Sequence, residues 1–196
     1  MASTTRGRPR SFDRKAALDQ AVLLFWSQGY EATSISDLTK ALGIGPASLY
    51  AAFGDKKALF DEVVDAYGDR YGGYMDRALA QEPTAKQSLA RLLHEAAEEH
   101  TRDGRPRGCM LLCAGENANS VEVTEQLRQI RAGNVAVFEQ RIRVDVQAGI
   151  LPQDTDVAAL ALYIGSVLQG MSQSARDGAS REDLEKVAAL AMNGWP

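Results

Sequence analysis

The chain has 196 residues, 45% apolar and 24% charged, proportions ordinary for a globular protein large enough to bury a core without staples. The longest uninterrupted apolar run, 157–164, is too short to cross a bilayer, residues 1–6 lead into basic residues rather than a signal-peptide core, and two cysteines make no disulfide framework, so a soluble cytoplasmic protein with no membrane partner is expected. The net charge is −4, yet the first 57 residues carry eight cations against five anions, which leaves −7 on the remainder; only the N-terminal segment is suited to meeting a polyanion.

Apolar spacing follows a 3.6-residue period almost throughout and strand signals are nearly absent, so an all-α fold of about nine helices is predicted. Residues 1–11, with Arg6, Arg8 and Arg10, read as a flexible basic arm. A first helix over 13–28 puts Ala17, Leu18, Ala21, Leu24 and Phe25 on one face and stops at Gly29. Ser34 and Asp37 form a variant capping box that starts a short second helix, closed by Gly43. Pro46 opens a short third helix that ends near Ala52, since proline is tolerated best in a first turn. Gly54 and Asp55 then cap a fourth helix carrying Leu59, Val63, Ala66, Tyr67, Arg70 and Tyr74, which fades near Ala80.

Pro83 and Thr84 begin a fifth helix over 85–100, followed by a polar loop, 102–108. A sixth segment runs from Cys109 to about Ala118, a long seventh helix covers 122–147, an eighth 155–175 and a ninth 181–192. The boundaries expected are an arm over 1–11, a helix-turn-helix unit over 12–57 and a second helical unit over 58–196.

Two short helices joined by Gly43-Ile44-Gly45 have the layout of a helix-turn-helix. With Leu49 and Phe53 packed inward, Ala47, Ser48, Tyr50 and Ala51 face out, small or flat enough for a major groove about 12 Å wide. The Ser48 and Tyr50 hydroxyls suit phosphates, Ala47 and Ala51 suit thymine methyls, Lys56 suits a phosphate charge, and the helix start at Ser34 favours an anion. The same pattern equally describes an ordinary turn between two core helices.

The stretch 33–60, Thr-Ser-Ile-Ser-Asp-Leu-Thr-Lys-Ala-Leu-Gly-Ile-Gly-Pro-Ala-Ser-Leu-Tyr-Ala-Ala-Phe-Gly-Asp-Lys-Lys-Ala-Leu-Phe, resembles the N-terminal signature of tetracycline-repressor-like (TetR/AcrR) regulators. Residues 21–30, Ala-Val-Leu-Leu-Phe-Trp-Ser-Gln-Gly-Tyr, resemble that family's first helix. The resemblance spans about 12–67, a third of the chain. It implies an all-helical homodimer with an N-terminal DNA reader, a C-terminal ligand-binding and dimerisation domain, and DNA contacts from Ser34, Ser36, Ala47, Ser48, Tyr50 and Lys56. Many relatives carry larger or polar residues at the positions of Ala51 and Ala52. Base readout would therefore rest on few side chains, with the arginine arm either entering the minor groove or remaining a basic tail.

The resemblance further implies that the last two helices of each subunit pair as a four-helix bundle, with Ala158, Ala161, Leu162, Gly165 and Leu168 on one and Leu184 and Val187 on the other. A buried monomer core is the alternative for the nearly uncharged eighth helix. An effector pocket is expected between helices four to eight. Its candidates are Tyr67, Tyr71, Leu93, His94, Ala97 and Cys109, with Met110, Cys113, Val137, Phe138 and Tyr163. Any of these can instead be core. Gly108-Cys109 also resembles a branch of the family in which a cysteine senses electrophiles or oxidants; a helix start would favour its thiolate, although most buried cysteines are apolar filler.

His94 and His100 lack metal-ligand spacing, and no Ser/His/Asp set, metal cluster or phosphate-cradling glycine loop supports an enzyme or calls for a cofactor. The acidic body argues against an architectural DNA protein. The expectation is a DNA-binding repressor, released from a palindromic double-stranded operator by a small hydrophobic or aromatic effector, or alternatively by modification of Cys109.

Overall fold

The computed structural model describes residues 12–114 and 119–196; the basic arm and the end of the sixth segment lie outside them. Among the described residues all regular structure is α-helical, in ten helices: α1 (Arg14–Gln28), α2 (Ile35–Leu42), α3 (Pro46–Phe53), α4 (Lys56–Tyr71), α5 (Gly73–Gln81), α6 (Ala85–Thr101), α7 (Met110–Cys113), α8 (Val121–Gln147), α9 (Val157–Arg176) and α10 (Arg181–Asn193). None is long and apolar enough to cross a membrane. The extra helix relative to expectation arises at Gly72, where the single fourth helix breaks into α4 and α5. The break draws the chain in so tightly that a Cβ at 72 would lie 2.6 Å from the Gly68 carbonyl oxygen.

Caps fix most helix starts. The side chains of Asp13, Ser34, Asp55, Thr84, Ser120, Asp156 and Ser180 each accept a backbone N–H from the first turn of the helix they precede. These N–H groups have no partner within the helix, so each such cap contributes about 1 kcal/mol.

Two apolar clusters hold the helices together. One joins α1 to α4, centred on Trp26, Phe25, Leu38, Leu49 and Phe60, and takes Met110, Val123 and Leu127 from much later in the chain. The other packs α6 against α5, α9 and α10, and α8 against α9, around Leu89, Leu92, Leu93, Phe138, Ile142 and Ile164. A buried carboxylate, Asp145 of α8, braces the second cluster: it accepts from Arg141 at 2.7 Å and from the Ala85 N–H at 2.6 Å, so it also caps α6.

His100, in the last turn of α6, is 2% exposed and neither ring nitrogen has a hydrogen-bond partner. Burial, with the Arg105 guanidinium nearby, pushes its pKa down to about 4, so the folded chain holds it neutral. The unfolded chain binds a proton there below about pH 6.5 and the folded one does not until about pH 4, so stability is full above 6.5 and falls as pH drops through this window. Denaturant titrations at pH 7 and 4.5 should show a loss of up to about 3 kcal/mol at the lower pH that His100→Phe, which titrates in neither state, abolishes.

Candidate DNA-binding surface and effector domain

The helix-turn-helix is assembled from local signals. Ser34 and Asp37 form the reciprocal box: Ser34 Oγ accepts the Asp37 N–H at 3.1 Å, and the Asp37 carboxylate accepts the Ser34 N–H at 3.0 Å. The Ser34 hydroxyl and amide together hold the exposed Asp37 carboxyl below its usual range. Gly43 takes the left-handed conformation (φ 67°), which turns the N–H groups of Gly43 and Ile44 back onto the Thr39 carbonyl and ends α2. Pro46 then opens α3.

On α3, Leu49 and Phe53 are buried while Ala47, Ser48, Tyr50 and Ala51 are exposed, as are Ser34 and Ser36 at the start of α2. Tyr50 keeps 49% of its surface open, too much for a core aromatic. Arg14 braces the inner face from α1: its guanidinium lies 4.5 Å from the Phe53 ring, donates to the Ala52 carbonyl at 3.2 Å and pairs with Glu62 at 2.6 Å.

Lys56 opens α4 beside this surface. Its ammonium sits 4.3 Å from the Tyr30 ring centroid, and burial lowers its pKa from the ordinary lysine value. Tyr30 is in turn stacked on Phe25 and edge-on to Phe60. The sequence pattern does not reveal this cation–π seat, because Tyr30 and Lys56 lie on different elements and meet only in the fold.

The chain's residues 17–63 match the signature of "Bacterial regulatory proteins, tetR family". Along 98% of its length it is 37% identical to the HTH-type transcriptional repressor ComR of Escherichia coli (strain K12), covering 93% of that protein. The chain belongs to the TetR family. It is also 30% identical to the repressor BdcR of the same organism, over 96% of this chain and 92% of that one. Among solved structures, a cysteine mutant of the TetR family regulator CifR complexed with 26-bp double-strand operator DNA superposes with a TM-score of 0.90. It is 39% identical and covers 97% of this chain and all of that one. The family places the protein among helix-turn-helix transcriptional regulators rather than enzymes.

The effector candidates do not converge on one cavity. Tyr67, Tyr71 and Met110 pack in the first cluster, Leu93, Ala97, Cys113 and Phe138 in the second, and Cys109 touches both. His94, Val137 and Tyr163 are exposed, Val137 on a cleft beside α5 and Tyr163 on one beside the C-terminal residues. The buried face of α6 runs through Leu89, Leu92, Leu93, Ala96, Ala97 and His100, which turns His94 to solvent. A small cavity of about 240 Å³ does lie between α7, α8 and α9, lined by Leu112, Arg131, Val135, Phe138, Gly165 and Leu168; of the candidates only Phe138 reaches it.

Three residues expected at a dimer interface are buried within the single chain: Ala161, Leu168 and Leu184. Gly165 faces Val135, where a Cβ would come within 2.8 Å of the valine methyl. Ala158, Leu162 and Val187 are exposed, with Leu190 and Tyr163 beside them in the exposed apolar set of α9 and α10. No group of metal-ligating side chains occurs among the described residues.

Cys109 lies where the two clusters meet. It precedes a helix of only four residues, and burial pushes its thiol up, outweighing the Tyr67 phenol and the Leu112 and Leu111 amides, which favour the thiolate. The Tyr67 phenol beside it is raised by burial too. A thiol raised in this way at Cys109 is expected to react more slowly than a free one. Iodoacetamide labelling followed by mass spectrometry should find it slower than glutathione, and a rate at or above the free thiol's would show the thiolate is stabilised after all.

Proposed function

We propose that the protein is a homodimeric repressor that grips a palindromic operator through α3 and is released from it by a small hydrophobic or aromatic effector. The observation that carries the DNA assignment is the solvent-facing set Ala47, Ser48, Tyr50 and Ala51 on a helix whose opposite side is fully buried, flanked by the capped start of α2 and by Lys56. A helix with small outward side chains can bring its backbone into the major groove, while helix starts and hydroxyls take the phosphates. ComR and BdcR are repressors and the CifR relative is held on operator DNA, which supports the same role here.

The dimer reading rests on the apolar surface of α9 and α10, where Leu162 is 60% and Leu190 68% exposed. Large aliphatics on adjoining helices suit a self-complementary twofold contact, which would set two α3 helices about 34–36 Å apart. An effector class is suggested by the mostly apolar walls of the cavity at Leu112 and Phe138. A second reading, release through modification of Cys109, draws on that residue touching both clusters; Cys109→Ser that leaves a thiol-reactive compound's effect on DNA binding intact would sink it.

Operator binding measured against salt tests the surface. Lys56→Ala should flatten the log–log salt dependence by about 0.9 for each phosphate that is no longer neutralised, and by about twice that for a dimer; Tyr50→Ala should weaken binding at all salts. Tyr30→Phe, which keeps the ring under Lys56, should bind as the parent does, whereas Tyr30→Leu, which unseats the ammonium but keeps its charge, should weaken binding with a smaller change in slope than Lys56→Ala. An unchanged affinity and slope in the Tyr50→Ala, Lys56→Ala double variant would remove α3 and the start of α4 from the DNA interface.

A further inference from the structure

Of the thirteen arginines among the described residues, ten are ion-paired, and the three that are not are Arg107, Arg131 and Arg176. In a body that carries a net −7, a guanidinium without a carboxylate is the exception, and two of the three line one cleft. That cleft, about 280 Å³, is walled by Trp26 and Ser27 from the end of α1, Pro106 and Arg107 from the loop after α6, and Arg176 from the last turn of α9. We propose that it is a binding site for a small anion, a carboxylate or phosphate group gripped by Arg107 and Arg176.

The walls are held in place by their own contacts. Gly108 carries φ +75° and lies flush on α9: a Cβ there would fall 2.7 Å from the Ser172 carbonyl oxygen and 2.9 Å from Arg176 Cγ. It donates to the His100 carbonyl at 2.9 Å and accepts the Trp26 indole N–H at 3.1 Å, so α6, the loop and α1 meet at one residue. Arg107 is anchored by one arm, which donates to the Ala179 carbonyl, while its Nε is buried and donates to nothing.

That Nε is sealed from the cleft, so an anion would meet the other terminal nitrogen of Arg107 and the exposed guanidinium of Arg176, giving each the acidic partner that the other ten arginines have. The other polar groups of the cleft are already engaged: the indole N–H on Gly108 and the Ser27 hydroxyl on the Leu24 carbonyl. Recognition therefore falls to the two guanidiniums, whose planar forks fit carboxylate and phosphate oxygens alike. The dipole at the end of α9 accounts for a cation at 176 but not for one at 107. The volume admits a phosphate or a short-chain acid and no macromolecule. Because the cleft joins α1 to α9, an anion there would tie the helix-turn-helix to the body, and by linkage operator binding and anion binding would alter each other by the same factor.

The test is calorimetric titration of the DNA-free full chain with inorganic phosphate and, separately, succinate, in chloride buffers of matched ionic strength. Saturable binding of at least one is expected, and which binds tighter identifies the chemistry. Arg176→Gln, at an exposed position that leaves the fold intact, should weaken it at least about tenfold, as should Arg107→Gln. Arg102→Gln, which removes an arginine already paired with Glu98, should leave it unchanged. In a Trp195→Phe background the remaining tryptophan, Trp26, should report the same affinity by fluorescence. Absence of saturation with either anion, binding that survives the Arg107→Gln, Arg176→Gln pair, or an equal loss in Arg102→Gln would overturn the site.

Discussion

The backbone of one four-residue helix, α7, joins the helix-turn-helix to the rest of the molecule. A helix this short satisfies almost none of its own amides and must find partners outside. The Met110 N–H donates to the Tyr67 hydroxyl of α4 at 3.2 Å and the Cys109 N–H to Ser172 Oγ of α9 at 2.8 Å. At the other end the Ala114 carbonyl accepts the Tyr30 N–H at 3.4 Å, and the Leu111 carbonyl accepts from Arg131 of α8 at 3.3 Å. These groups are buried or partly buried, and leaving a buried one unpaired would cost about 1–3 kcal/mol. The turn that carries Tyr30, the α4 helix and the two long body helices are thus tied to the same few atoms.

That arrangement gives a regulator of this family a physical means of relating its two ends. Tyr30 hangs from Ala114 and at the same time seats the Lys56 ammonium, so a residue beside the expected phosphate contact is one hydrogen bond from α7. Tyr67 is buried in the first cluster against Trp26, and Cys109 reaches both clusters. Anything that shifts α7 relative to α9 must break or move the Ser172 contacts, which include the Cys113 sulfur at 3.3 Å. Additional ties run in parallel, from Asn119 to Glu31 and from Gln126 to Asp61, so the start of α8 follows the head as well.

The helix-turn-helix is legible in the sequence because its signals are local: a capping box, a left-handed glycine and a proline at a first turn act within a few residues of themselves. The body is legible only as helices. Its α9 is apolar almost all round, so spacing alone does not say that Ala161 and Leu168 look inward while Leu162 looks out. His94 and His100 sit six residues apart on one helix, and only the packing of α6 decides that the first meets water and the second is sealed. Cys109 shows the same limit: the helix start is written in the sequence, whereas the burial that raises its thiol comes from packing in the fold.

Amide hydrogen exchange followed by mass spectrometry, on the free protein and on the operator complex, tests the connection through α7 most directly. Tyr30 and the segment 109–114 should exchange more slowly in the complex, in step with α2 and α3, although 109–114 belong to the interior and not to the reading surface. Slowing confined to α2, α3 and the start of α4, with 109–114 unchanged, would contradict the coupling and leave α7 as packing alone.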